Sequence, residues 1–109
     1  MLFRSPEHFF TAAVNSCFMT TFLAVAENSK LEFTTFSCES EGILDKVDGK
    51  YIMTEIILKP HLKIINEADA EKAERILHKS ESACLISNSI KSQVTLQPTI
   101  TFVEKPVLV

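Results

Sequence analysis

Ser5-Pro6-Glu7-His8-Phe9-Phe10-Thr11-Ala12-Ala13-Val14-Asn15-Ser16-Cys17-Phe18-Met19-Thr20-Thr21-Phe22-Leu23-Ala24-Val25-Ala26-Glu27 is the stretch on which the fold turns. Ser5 suits a helix N-cap, Pro6 the first helical position, and Glu7 places an acid in the first turn. From Phe9 to Ala26 there is no charge, and the run closes on Ala24-Val25-Ala26, so length and composition alone also admit a secretory leader or a membrane span. Glu7 and His8 stand where a leader would carry positive charge, and Thr11, Asn15, Ser16, Thr20 and Thr21 punctuate the apolar run. The expectation is a buried helix from Pro6 to Glu27, with no membrane partner. Phe10, Val14, Cys17, Thr21, Ala24 and Val25 share one face at spacings of three and four. Phe9, Ala13, Phe18 and Phe22 widen that stripe, and a helix this apolar is enclosed on several sides. A three-stranded sheet cannot enclose it alone, so a second copy of the chain is expected against it.

Outward from this helix the pattern changes period. Leu31 to Val47 reads as an extended run, Asp48-Gly49 as a hairpin turn, and Tyr51 to Ile65 as the return strand. The return strand alternates cleanly, with Ile52, Thr54, Ile56, Leu58, Pro60, Leu62 and Ile64 on one face. The alternation of the first strand changes phase between Phe33 and Phe36, which predicts a bulge. Pro60 has no N–H to donate, so its strand is expected to be an edge or to be broken there. A second helix follows, capped by Asn66 or Asp69 and burying Ala70, Ala73, Ile76 and Leu77. Ser80 and Ser82 interrupt it and can cap a short third helix with Ala83, Cys84, Ile86 and Ile90. Gln93 to Glu104 forms the last strand. Helix, strand, strand, helix, strand gives an α+β fold, one domain over residues 1–109, with a long helix packed on an antiparallel sheet.

The net charge of −3, without a basic cluster, excludes the cationic footprint that nucleic acid requires. The three cysteines, Cys17, Cys38 and Cys84, are too few and too odd in number for a disulfide framework. They form no ligand spacing with His8, His61 or His78, so no metal and no cofactor is expected. Reduced thiols fit a cytoplasmic protein. Cys17 lies mid-helix, about three turns from its own helix N-terminus, too far for that dipole to acidify it. Cys84 falls in the first turn of the short helix, where free N–H groups favour a thiolate, and Ser87 gives a Cys-x-x-Ser spacing. Cys38 reads as a packed strand residue. No phosphate loop, nucleophile elbow or HExxH segment occurs.

The segment Ser5 to Phe18, with its Pro6-Glu7 pair and a cysteine ten positions after the glutamate, resembles the central helix motif of the OsmC/Ohr family. Ser82-Ala83-Cys84-Leu85-Ile86-Ser87-Asn88-Ser89-Ile90 is similar to the family's second cysteine motif, Cys-Pro-x-Ser-Asn-Ser, with Leu85 in place of the proline. The resemblance runs from Ser5 to Glu104, and the family's region of N-terminal strands has no counterpart ahead of it. It implies an intertwined homodimer and a thiol peroxidase that reduces organic hydroperoxides with electrons from a dithiol. Cys17 would form the sulfenic acid and Cys84 would resolve it as a disulfide. Glu7 matches the family's active-site glutamate. The family's paired arginine comes from the missing strands, and Arg4 is the nearest candidate here. Ten helical residues advance about 15 Å, so Glu7 cannot reach Cys17 of its own helix and would act across the dimer. The alternative is a catalytically reduced relative that binds a small molecule or senses redox state.

Overall fold

Helix α1 (Pro6–Asn28) begins with an extended Ser5 at its N-cap and a proline in its first turn. It stops where Lys30 turns left-handed, with a φ of 56°. The Lys30 N–H donates to the Glu27 carbonyl at 3.1 Å and the Leu31 N–H to that of Ala26 at 3.0 Å, the paired bonds of a Schellman stop. A computed structural model describes residues 5–103; Arg4 lies outside them. The face of α1 that enters the core is not the stripe centred on Phe10, Cys17 and Ala24. Val14, Phe18, Phe22 and Ala26 are buried, a ridge at intervals of four. Phe10 and Val25 flank it, whereas Ala24 is exposed. The helix is apolar nearly all round, so its periodicity does not choose among faces; the sheet does. Phe22 stacks on Phe36 with ring centroids 4.0 Å apart and meets Phe33 edge-on at 5.6 Å.

Strands β1 (Phe33–Val47) and β2 (Lys50–Ile64) pair antiparallel. Asp48 and Gly49 both have positive φ, 50° and 78°, as a two-residue type I′ turn requires. The expected bulge is present as a register slip between Phe33 and Thr35, and a second slip falls between Ile43 and Leu44. The even face of β2 turns inward from Ile56 to Ile64. Beyond it the hairpin runs out of cover, and Ile43, Leu44, Val47, Tyr51 and Ile52 are exposed. Gly42 has a specific role: a Cβ there would collide with the Thr11 hydroxyl and approach Met53 Cε to 2.6 Å. Glycine therefore lets β1 close on the N-terminal half of α1.

β2 is central rather than an edge. β1 lies on one side, and β3 (Gln93–Leu96) and β4 (Thr99–Phe102) lie end to end on the other. Both run parallel to β2, so the sheet is mixed, not antiparallel throughout. The connection from β2 crosses over through a 3-10 turn (Glu67–Asp69) and helix α2 (Ala70–Ser82), and such a crossover returns the chain parallel. The single last strand expected from Gln93 divides at Gln97-Pro98. Leu58 pairs with Leu96 and His61 with Thr99, which sets Pro98 opposite Pro60. Neither proline has an N–H, so the break foreseen at Pro60 occurs in the neighbouring strand. Ser80 and Ser82 belong to α2 and open no new helix; the buried Ser80 hydroxyl donates back to the Ile76 carbonyl at 2.6 Å. Ala73, Ile76 and Leu77 seal the core from the α2 side.

Candidate functional site

After α2 the backbone bends at Cys84, whose extended conformation makes it the N-cap of α3 (Leu85–Asn88), a single helical turn. The Asn88 N–H donates to the Cys84 carbonyl at 3.0 Å, and the Asn88 side chain donates to the Ser82 carbonyl at 2.9 Å. The Ser89 hydroxyl donates to the Leu85 carbonyl at 2.8 Å. These bonds clasp a turn too short to be stable by itself. They hold Cys84 fully buried against α1, on which Cys17 stands part-exposed.

The two thiols lie close enough to act on each other's ionisation. Burial pushes the Cys17 thiol up, but the hydrogen bond with Cys84 and the backbone N–H groups of Ile86 and Leu85, with help from Thr21, outweigh it and leave Cys17 below its ordinary value. Cys84 moves the other way: burial and then the contact with Cys17 raise it, offset in part by the hydroxyl and N–H of Ser87. The amides at the start of α3 thus serve the sulfur on the neighbouring helix. The acidified thiol is Cys17, not Cys84, whose place at a helix start had suggested the opposite. Sequence spacing missed Leu85 and Ile86, because backbone donors leave no side-chain signature. Ser87 was visible as Cys-x-x-Ser.

Cys38 is apart from this pair. It sits on β1 with its thiol donating to the Glu39 carbonyl at 3.5 Å, and burial pushes it up to about 11. Glu7 is exposed in the first turn of α1. Hydrogen bonding from the Ser5 hydroxyl and from its own backbone holds its carboxyl below the usual range. It lines a groove of about 670 Å³ between the start of α1 and β1, with Thr11, Asn15, Gly42 and Met53 among its walls. The floor carries one unsatisfied group: the Asn15 side chain donates to the Cys38 carbonyl at 3.1 Å, while its buried Oδ1 has no hydrogen-bond partner. Glu7 and Cys17 are not brought together within one chain. His61 and His78 are exposed, the latter 3.9 Å from Glu74. Among the described residues no three His, Cys, Asp or Glu side chains converge as a metal cage would need.

A long helix carrying one thiol, laid on a hairpin-centred mixed sheet and met by a second thiol at the start of a one-turn helix, defines a dithiol protein of α+β architecture. The chain belongs to the OsmC-like protein family, whose model matches residues 3–99. The uncharacterized protein YmaD of Bacillus subtilis is 32% identical to it over 96 residues, which are 85% of this chain and 64% of that protein. Peroxiredoxin OsmC of Escherichia coli is 27% identical over 92 residues, 84% of this chain and again 64% of that protein. This chain therefore spans somewhat less than two thirds of the length of those relatives. A crystal structure of an organic hydroperoxide resistance protein OsmC from Legionella pneumophila superposes with a TM-score of 0.72 at 26% identity, covering 89% of this chain and 69% of that one.

Proposed function

We propose that this chain is a thiol peroxidase that reduces organic hydroperoxides in the cytoplasm, with Cys17 as the peroxidatic and Cys84 as the resolving cysteine. What supports this reading is the mutual influence of the two thiols, whose surroundings favour the charged form of the part-exposed Cys17 and disfavour that of the buried Cys84. A thiolate is the nucleophile in such chemistry, and here it forms on the more accessible sulfur. The Cys17 thiolate attacks the outer oxygen of the hydroperoxide; the O–O bond breaks, the alkoxide takes up a proton and leaves as alcohol, and Cys17 becomes a sulfenic acid. Cys84 then attacks that sulfur, the S–S bond forms, and hydroxide leaves with the Cys84 proton as water. An external dithiol returns two electrons and two protons and is itself oxidised to a disulfide.

The catalyst is a homodimer in this proposal. Phe9 and Leu23 of α1 remain 60% and 50% exposed in the single chain, and the hairpin tip adds Ile43, Leu44 and Tyr51. The radius of gyration is 16.1 Å, against about 13 Å for a compact domain near this length, and the longest extent is 64 Å. A second copy covering these surfaces would bring Glu7 to the opposite Cys17, with Arg4 as the candidate cation beside it. The test is mass spectrometry of the thiols after one equivalent of organic hydroperoxide, together with peroxide consumption in excess dithiol. A Cys17–Cys84 disulfide and sustained turnover are expected. The disulfide without turnover would mark a redox sensor instead, and oxidation confined to Cys38 would remove the peroxidase reading.

A further inference from the structure

The three polar side chains of Ser87-Asn88-Ser89 have unequal fates. Asn88 clasps Ser82, and the Ser89 hydroxyl donates to the carbonyl four residues back. The Ser87 hydroxyl is buried and has no hydrogen-bond partner in the reduced protein. An orphaned buried hydroxyl costs roughly 1–3 kcal/mol, and such groups are rare enough in native proteins to require a reason. Its position supplies one. Cys84 is the N-cap of α3 and Ser87 is its third residue, the spacing at which a side chain reaches back over the cap. The titratable group on which this hydroxyl acts is the Cys84 thiol, whose charged form it favours. A hydroxyl gains little from a neutral thiol and much more from an anionic one, because a charged acceptor about doubles the strength of the bond.

We infer that the Ser87 hydroxyl is held for the moments at which Cys84 carries negative charge, and that it thereby governs how fast the Cys17–Cys84 disulfide closes and opens. Cys84 is fully buried and Cys17 is not, so a reducing thiolate attacks the Cys17 sulfur. A mixed disulfide forms there, the S–S electron pair departs with Cys84, and the Ser87 hydroxyl donates to the leaving thiolate until it is protonated. In closure the same bond favours the Cys84 thiolate that attacks Cys17. Among the described residues the titratable group acting on Cys84 is Cys17 of α1, so removing the hydroxyl leaves that influence in place. The role in turnover rests on the peroxidase reading; the role in thiol–disulfide exchange does not.

Two measurements test this without any hydroperoxide. The first follows the Cβ chemical shift of Cys84 against pH in reduced protein carrying isotopically labelled cysteine. Ser87→Ala should move its midpoint to higher pH, and Ser87→Thr should restore it. The second closes the disulfide with diamide and reopens it with dithiothreitol. Reopening should slow about tenfold in Ser87→Ala, with the mixed disulfide trapped on Cys17, as expected for losing a hydrogen bond to a charged leaving group. If the alanine variant is poorly folded, Ser87→Thr against Ser87→Val compares a hydroxyl with a methyl at matched shape. An unchanged midpoint and rate in folded protein without the hydroxyl overturns the inference. Failure of peroxide turnover alone, with both shifts observed, would count against the peroxidase reading and not against Ser87.

Discussion

Phe22 and Leu23 are neighbours on α1 with opposite surroundings, which allows one helix to report on both the fold and the assembly. Phe22 is fully buried between Phe33 and Phe36. Phe22→Ala removes a ring from a close-packed core and should cost roughly 3–5 kcal/mol. A chain of 109 residues has a total stability of about 5–16 kcal/mol, so the loss takes a large share of it. At about 4–8 °C per kcal/mol, thermal unfolding should fall by on the order of 15 °C or more, at every protein concentration. Leu23 is 50% exposed in the single chain. Full burial of a leucine contributes about 1.5–3 kcal/mol, so a partner helix has roughly half of that left to gain per chain, and twice that half in a two-fold dimer. Leu23→Ala keeps the best helix former at this position, so it should spare the fold while weakening dimerisation roughly ten- to hundredfold. Melts over a concentration series, with sedimentation equilibrium, separate the two effects. If Leu23→Ala leaves both the melts and the molecular mass unchanged, a dimer built on this face of α1 is refuted. If Phe22→Ala is tolerated within 0.5 kcal/mol or so, the packing of α1 on the hairpin is wrong.

Cys84→Ala removes the hydrogen-bonding thiol that lowers Cys17, so the pH profile of Cys17 alkylation should move to higher pH and the rate at neutral pH should drop; a profile that stays put would mean the two thiols do not interact. The sign for stability follows: a lowered thiol binds fewer protons folded than unfolded, so Cys17 stabilises the fold above the ordinary cysteine value, and that contribution is lost as pH falls through the lowered one. For Glu7, a mixed dimer of one chain bearing Glu7→Gln and another bearing Cys17→Ser should recover about half the activity of the native dimer, although each parent variant is nearly inactive. Recovery requires Glu7 and Cys17 to come from different chains, and its absence in a confirmed mixed dimer would confine Glu7 to its helix turn.

The parts of this fold legible in the sequence are those whose cause is local. Ser5-Pro6 opens α1, Asp48-Gly49 turns the hairpin, and the alternation from Ile56 to Ile64 gives the inward face of β2, because capping, φ sign and strand period each act within a few residues. What escaped is set by distant neighbours. The Val14, Phe18, Phe22 and Ala26 ridge faces inward because Phe33, Phe36 and the sheet lie there, and a helix apolar on nearly every side carries no mark of that choice. The direction of β3 and β4 depends on α2 crossing over, and the split between them on two prolines far apart in sequence falling opposite each other. The site divides along the same line. A family motif could point to Cys17 and Cys84, whose thiols act on each other's ionisation. It implied that Cys17 forms the sulfenic acid but carried no physical cause, which lies where the amides of Leu85 and Ile86 act on Cys17 while Cys84 stays buried. The acidity of a thiol belongs to its surroundings: Cys17 in mid-helix shifts down and Cys84 at a helix start shifts up, the reverse of what their local sequence cues suggest.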